Sequence, residues 1–277
     1  MAKIKQKIGF IGVGQMSLAL ASGFLNKKVV EPAQVFACDI HTPSLDRFIK
    51  ITGGTPLSGA HDIVKESDIV FLGVKPFQMD SLLNDLSKRA SIQKLFQERF
   101  FITIAAGMPM ATYGKYLGTA TRMARVMPNT PCQVGQAASG ICLSHSATSE
   151  DMELVHTLFD TVGVTVDVPE SQMDALTGLS GSGPAFVFIM IEALSDAGVR
   201  MGLSRETATK MAAQTLKGAA EMVLRTGEHP AVLKDRVTSP GGTTIAGISE
   251  LEKGGLRAVL IAAVTAATER SIAIAKK

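Results

Sequence analysis

The stretch Ser239-Pro-Gly-Gly-Thr-Thr-Ile-Ala-Gly-Ile-Ser-Glu-Leu-Glu252 turns from loop into helix, with glycines and hydroxyls crowded at its start. It holds no histidine, cysteine or lysine, so it offers hydrogen-bond donors rather than bases. The first amides of a helix lack internal acceptors, and the aligned peptide dipoles leave about half a positive charge there. Ser239, Gly241, Gly242, Thr243 and Thr244 therefore read as a grip for an anion. Ordinary N-capping by the threonine pair is the competing reading.

A second group lies at the other end of the chain. Ile8-Gly-Phe-Ile-Gly-Val-Gly-Gln-Met-Ser-Leu-Ala19 joins an apolar run to a helical pattern. Gly12-x-Gly14 begins the dinucleotide fingerprint, with Gln15 and Met16 opening the helix. The glycines permit a tight turn and let backbone amides approach a pyrophosphate. Ser17 takes the third fingerprint position in place of Gly or Ala, so the match is partial. Asp39 ends the second apolar run, where an acid binds ribose hydroxyls and repels a 2′-phosphate. Thr42-Pro43-Ser44 follows as a helix start whose hydroxyls and amides can hold that phosphate. NADP(H) and NAD(H) both stay open on these residues.

Three further turns close apolar runs. Val74-Lys75-Pro76 puts a cation within reach of ribose or phosphate oxygens. Ala105-Ala106-Gly107 is small enough for a flat nicotinamide to lie against backbone. Met127-Pro-Asn-Thr-Pro131 is stiffened by two prolines and leaves Asn129 free to hydrogen-bond, unless it is a plain turn residue.

The elements that must position these residues follow from periodicity. Strands are expected at Lys7–Val13, Gln34–Asp39, Asp68–Val74, Arg99–Ala105, Arg122–Met127 and Ala137–Ser144. Helices fall between them at Gln15–Asn26, Pro43–Ile51, Phe77–Arg89 and up to about Leu117. Solid apolar strands separated by helices indicate a parallel sheet covered on both faces, the doubly wound Rossmann-type architecture. From Glu170 onward strand signals vanish. Helices are expected at Gln172–Leu179, Pro184–Met201, Arg205–Thr226, Pro230–Val237, Thr243–Glu252 and Leu256–Ala275. The division is an α/β dinucleotide-binding domain over 1–168 and an all-helical substrate-binding and dimerisation domain over 169–277. Leu256–Thr268 is apolar nearly all round and needs cover on every side, which a homodimer or larger homo-oligomer supplies.

Composition excludes other classes. Net charge is +3 with no basic cluster, which argues against a nucleic-acid partner. Cys38, Cys132 and Cys142 lack metal-ligand spacing and fit a reducing cytoplasm. Met1–Lys7 is a short charged lead without the apolar core of a signal peptide. The most apolar segment, Pro184–Leu194, meets Glu192 and then Asp196, so it is expected to be a buried helix rather than a membrane span.

In this order, Gly12-x-Gly-x-Met16, Val74-Lys-Pro76, Ala105-Ala-Gly107, Met127-Pro-Asn-Thr-Pro131, Leu179-Ser-Gly-Ser-Gly-Pro-Ala185 and Lys234-Asp-x-Val-x-Ser-Pro-Gly-Gly-Thr-Thr-Ile245 closely resemble pyrroline-5-carboxylate reductases along the whole chain. The resemblance implies NAD(P)H-dependent reduction of 1-pyrroline-5-carboxylate, a cyclic imine, to L-proline. It implies that Thr244 hydrogen-bonds the ring nitrogen, as the one catalytic side chain. Ser239, Gly242, Thr243 and the Thr244 backbone would hold the carboxylate, and Ser180-Gly-Ser-Gly183 would pack near the nicotinamide. A β-hydroxyacid dehydrogenase shares the Gly-x-Gly-x-Met start, and Gly178, Gly181 and Gly183 fit its glycines. Its lysine and asparagine would fall on Val187 and Ile191, which cannot take a hydroxyl proton. A dinucleotide-binding regulator without turnover is separated from the enzyme by assay.

Overall fold

The structure, a computed structural model, describes residues 3–275. The first part winds through β1 (Ile8–Ile11), α1 (Gln15–Asn26), β2 (Val35–Cys38), α2 (Thr42–Thr52), β3 (Thr55–Pro56), α3 (Ala60–Glu66) and β4 (Ile69–Leu72). It continues with α4 (Pro76–Ser87), α5 (Ala90–Gln93), β5 (Phe100–Thr103), α6 (Met110–Leu117), β6 (Arg122–Met127), β7 (Ala137–Leu143), α7 (Ser149–Phe159) and β8 (Gly163–Asp167). The strands form one sheet in the order β3-β2-β1-β4-β5-β6-β7-β8. The first six give the doubly wound order, which leaves a crevice where β1 meets β4 at the carboxyl ends.

Alternation along each strand builds two cores. Phe10, Ile69, Phe71, Phe100 and Ile102 point to one face, and Ile11, Val70, Leu72 and Phe101 to the other. Phe10 stacks on Phe71 at 4.7 Å between ring centroids, and Phe24 and Phe159 close over the same cluster. Each such ring, fully buried, contributes about 1.5–3 kcal/mol.

Two features depart from the sequence reading. β7 runs antiparallel to β6, where an all-parallel sheet was expected. The link between them is a single 3₁₀ turn, Thr130–Val134, and a parallel crossover needs a dozen residues or more. α7 and β8 complete the sheet beyond the expected last strand, β8 pairing parallel with β7.

The helical part comprises a 3₁₀ turn (Glu170–Gln172), α8 (Met173–Leu176), a π turn (Thr177–Gly181), α9 (Gly183–Arg200), α10 (Arg205–Thr226), α11 (Pro230–Arg236), α12 (Thr243–Lys253) and α13 (Leu256–Ala275). The single helix expected over Gln172–Leu179 is thus broken into three turns. A Cβ on Gly181 would stand 2.7 Å from the Met127 side chain, so the backbone here approaches β6 closely. Packing divides the chain into two compact units. One takes the residues up to Ser182 together with those from Ala267 onward, and the other is Gly183–Ala266. The division expected near Val168 therefore differs from the packing, because the turns after Glu170 settle on the sheet. Leu176 lies over Gly140, and Met173 is fully buried.

The helical unit has little interior of its own. Gly198 lets Ala208 come to 2.9 Å of a notional Cβ where α9 crosses α10, and Ala208, Ala212 and Leu233 are buried. Phe188, Ile189, Leu224, Val259 and Ile261 are each more than half exposed. By length and composition the segment Glu170–Arg200 is long and apolar enough to cross a membrane, although Glu192 and Asp196 were expected to rule that out. Within it Val187, Phe188, Ile189 and Leu194 of α9 are exposed in the single chain, against the expectation of a buried helix.

Candidate active site

The turn between β1 and α1 is forced by packing. Gly12 has φ +87°, and a Cβ there would lie 2.8 Å from the backbone of Gly73 and Val74. Gly14 is the N-cap of α1 with open space above it, no side chain caps the helix, and no acid sits in its first turn. The amides of Gln15, Met16 and Ser17 have no acceptor among the described residues. Such a terminus is suited to a pyrophosphate. Ser17 explains the departure from the fingerprint: it is buried, its Oγ donates to Gly12 O at 2.8 Å, and it fills the space over Gly73. Met16 accepts from the Cys132 thiol at 3.5 Å. Burial pushes that thiol up to about 11, so it stays protonated.

Asp39 is engaged within the fold. Its Oδ2 accepts from Val13 N and its Oδ1 from His41 N, both at 2.8 Å. The carboxylate thus fastens the glycine turn to the start of α2. Lys75 is exposed, follows β4 as the N-cap of α4, and stands ahead of Pro76 with Val74 beside Gly12. A concavity of about 440 Å³ flanks α1 past Ser22 and Asn26 and meets this turn only at Gln15.

Ala105 and Gly107 are buried at the end of β5, and Ala106 is half-buried. Gly107 adopts φ +69°, and Ile274 and the Ser271 carbonyl from the end of α13 lie over it. Asn129 is engaged, contrary to the expectation of a free amide. Its Nδ2 donates to Ser180 O and its Oδ1 accepts from Ala138 N, both at 3.0 Å. The Ser180 hydroxyl donates to Leu176 O within its own turn. These two residues therefore hold the π turn against β6 and β7.

The second group lies in the helical unit. α11 is capped by His229, whose Nδ1 accepts from Ala231 N, and Thr238 closes its end by donating to Lys234 O. Lys234 pairs with its neighbour Asp235 at 2.7 Å. The chain then turns through Gly241 at φ +66° into Gly242, the N-cap of α12. A Cβ on Gly242 would collide with the Ser239 hydroxyl at 2.3 Å, so glycine is needed to bring Ser239 to the helix end. No side chain caps α12 and no acid lies in its first turn. Among the described residues, the amides of Thr243, Thr244 and Ile245 and the hydroxyls of Ser239, Thr243 and Thr244 have no partner. Thr244 is half-buried; Ser239 and Thr243 are exposed. Plain capping by the threonines is not what the chain does.

Sequence reasoning missed Ser17 as a helper of the turn, and it missed Glu170, whose Oε1 accepts from Met110 N at 2.6 Å just beyond the Ala105–Gly107 loop. Glu170 has no local signal, since it acts on residues far along the chain, and Ser17 reads as a mere break in the fingerprint until its place over the distant Gly73 is seen.

Residues 170–274 match the family model for pyrroline-5-carboxylate reductase dimerisation, and residues 7–107 match that of NADP oxidoreductase, coenzyme F420-dependent. The pyrroline-5-carboxylate reductase of Methanosarcina acetivorans is 47% identical over 98% of this chain and 99% of its own. That of Arabidopsis thaliana is 45% identical over 96% and 94%. Among solved structures, a Plasmodium falciparum pyrroline carboxylate reductase with NADP bound superposes with a TM-score of 0.85 at 33% identity, covering 99% of this chain and 100% of that one. A Coxiella burnetii pyrroline-5-carboxylate reductase gives 0.90 at 33% identity, with the same coverage. Near-full-length identity at this level, with both halves matched in order, places the chain in the pyrroline-5-carboxylate reductase family.

Proposed function

We propose that this chain reduces 1-pyrroline-5-carboxylate to L-proline with NADPH, and that it works as a cytoplasmic homodimer or larger homo-oligomer, its dinucleotide-binding part ending near residue 168 although the packing unit runs on to Ser182. The observation that carries the reading is the uncapped start of α12, where amides and hydroxyls converge without an acid or base. The imine nitrogen of the substrate is readily protonated, and the iminium accepts a hydride without help from a base. The protein's part is orientation, which can contribute on the order of 7–11 kcal/mol.

Ser239, Gly241, Gly242, Thr243 and the Thr244 amide receive the carboxylate, with the positive end of α12 behind them. Thr244 Oγ, free of other partners, hydrogen-bonds the ring nitrogen and fixes which face of the ring is presented. The amides of Gln15 and Met16 hold the dinucleotide pyrophosphate above Gly12 and Gly14. Lys75 and Asp39 flank it, and the α2 start at Thr42 and Ser44 takes the 2′-phosphate. The Asp39 charge is drawn toward Val13 N and His41 N, which eases that fit and still admits NADH. Ala105, Ala106 and Gly107 offer a flat backbone floor for the nicotinamide, and Val74 and Pro76 shape the wall beside it. NADPH bound there supplies the hydride. Asn129 and Ser180 support this floor by positioning the π turn.

The test is direct. Addition of pyrroline-5-carboxylate to protein and NADPH should bleach the reduced-nicotinamide absorbance and yield proline. No proline with either NADPH or NADH would leave a binding protein without turnover.

A further inference from the structure

The loop that begins at Ala105 is held from three sides by polar groups. Ala105 N donates to Thr103 Oγ1 at 3.3 Å, and Thr103 in turn shares a 2.6 Å hydrogen bond with the Tyr113 hydroxyl. Tyr113 is fully buried, and burial pushes its hydroxyl up to about 12, so it remains a neutral partner. At the far end of the loop, Met110 N donates to Glu170 Oε1 at 2.6 Å. That same oxygen accepts from Arg125 Nη1 at 3.1 Å. Arg125 is buried at the centre of β6, paired in register with Thr103 of β5 and Cys142 of β7. Above the loop, the Ser271 hydroxyl, buried, donates to Asp174 Oδ1 at 2.6 Å and seats the end of α13 over Gly107.

We propose that Glu170, held by Arg125, is a positioning residue for hydride transfer, because it fixes the amide of Met110 and so the height of the Ala105–Gly107 floor. The proposal rests on the reading of that loop as the nicotinamide floor. A charged acceptor shared by an arginine and a main-chain amide is short, strong and directional. A buried arginine on a central strand gives the carboxylate an anchor that cannot drift with the surface. Met110 is the first residue of α6, a place where its amide has no helical acceptor and must find one elsewhere. Arg125, Tyr113 and Cys142 lie near Glu170, and Lys115 and His145 line the same surface hollow; of these only Arg125 is bonded to its carboxylate. Displacement of a reacting ring by about 1 Å costs roughly a hundredfold in rate.

Three variants test this. Met110→Pro deletes the donated N–H while proline remains acceptable at the first helical position, after the extended Pro109. Glu170→Ala deletes the acceptor, and Glu170→Gln keeps an oxygen for Met110 N without the charge. The readouts are the single-turnover rate of NADPH oxidation, KM for the imine, and the emission spectrum of bound NADPH without substrate. Met110→Pro and Glu170→Ala are expected to lower the single-turnover rate roughly ten- to a hundredfold, with KM for the imine within about twofold. Glu170→Gln should recover to within about threefold of the parent, since its carbonyl still accepts. The emission of bound NADPH should shift in Met110→Pro and not in Glu170→Gln. If Glu170→Ala fails to fold, Met110→Pro decides. A folded Met110→Pro protein with the parental rate and parental NADPH emission overturns the proposal. A parent that binds NADPH but turns over no imine sinks the functional reading instead, and the emission arm still judges the loop.

Discussion

Two helix starts carry this account, and they are built differently. At α1, glycine is demanded by backbone pressing on backbone: a Cβ on Gly12 meets Gly73 and Val74, and Asp39 ties the turn from beneath. At α12, Gly241 has empty space around it and glycine serves only the positive φ, while Gly242 makes room for one hydroxyl. The first start is sunk in a sheet unit with two full cores. The second belongs to a unit whose helices present Phe188, Ile189, Val259 and Ile261 to the outside. The first start is thus enclosed by one chain folding on itself, whereas the second sits on a scaffold that a single chain leaves bare.

The comparison breaks most sharply at Gly12. Gly12→Val forces a β-branched side chain into positive φ and into the Gly73 backbone, so NADPH binding should fall below detection by fluorescence titration. Thr244→Ala should lower kcat roughly ten- to a thousandfold while KM for NADPH stays within about twofold, because only the second start is touched. Unchanged steady-state kinetics would remove Thr244 from the mechanism. Val259→Asp with Ile261→Asp puts charge on two exposed sides of α13. Sedimentation should show monomers where the parent sediments as a dimer or larger, with NADPH affinity retained.

Smaller effects probe the sheet unit. Asp39→Ala strands the amides of Val13 and His41 and should lower stability by about 1–3 kcal/mol in urea titration. The thiols of Cys38 and Cys132 are raised by burial to about 12 and about 11. An unfolded thiol ionises near pH 9, and the folded one does so later. The stability they contribute is therefore present below about pH 9 and lost as pH climbs toward 11–12. Replacing both by Ala should flatten the decline of urea midpoints between about pH 8 and pH 10.5.

Much of the architecture was legible because strands such as Ile69–Leu72 are apolar throughout and helices such as α10 and α13 begin and end where periodicity changes. β8 was missed because Gly163-Val-Thr-Val-Asp167 is a short edge strand that alternates valine with polar residues, unlike the solid apolar runs of the other strands. α7 carries a usable mark, the Thr148–Asp151 capping box. The reversal of β7 was legible in principle, since the link is too short for a crossover. Asn129 looked free because its partners, Ser180 and Ala138, are set by tertiary packing. The glycine turn and the α12 start were legible because Gly12 and Gly241 take positive φ within a local pattern, although Gly12 also answers to Gly73 and Val74 across the sheet.

The most direct measurement is a crystal structure of the protein with NADP and L-proline. The account predicts the proline carboxylate within about 2.7–3.2 Å of the main-chain nitrogens of Thr243 and Thr244, with the Thr244 hydroxyl on the ring nitrogen. A carboxylate bound through lysine or arginine side chains, with the start of α12 left empty, would contradict it.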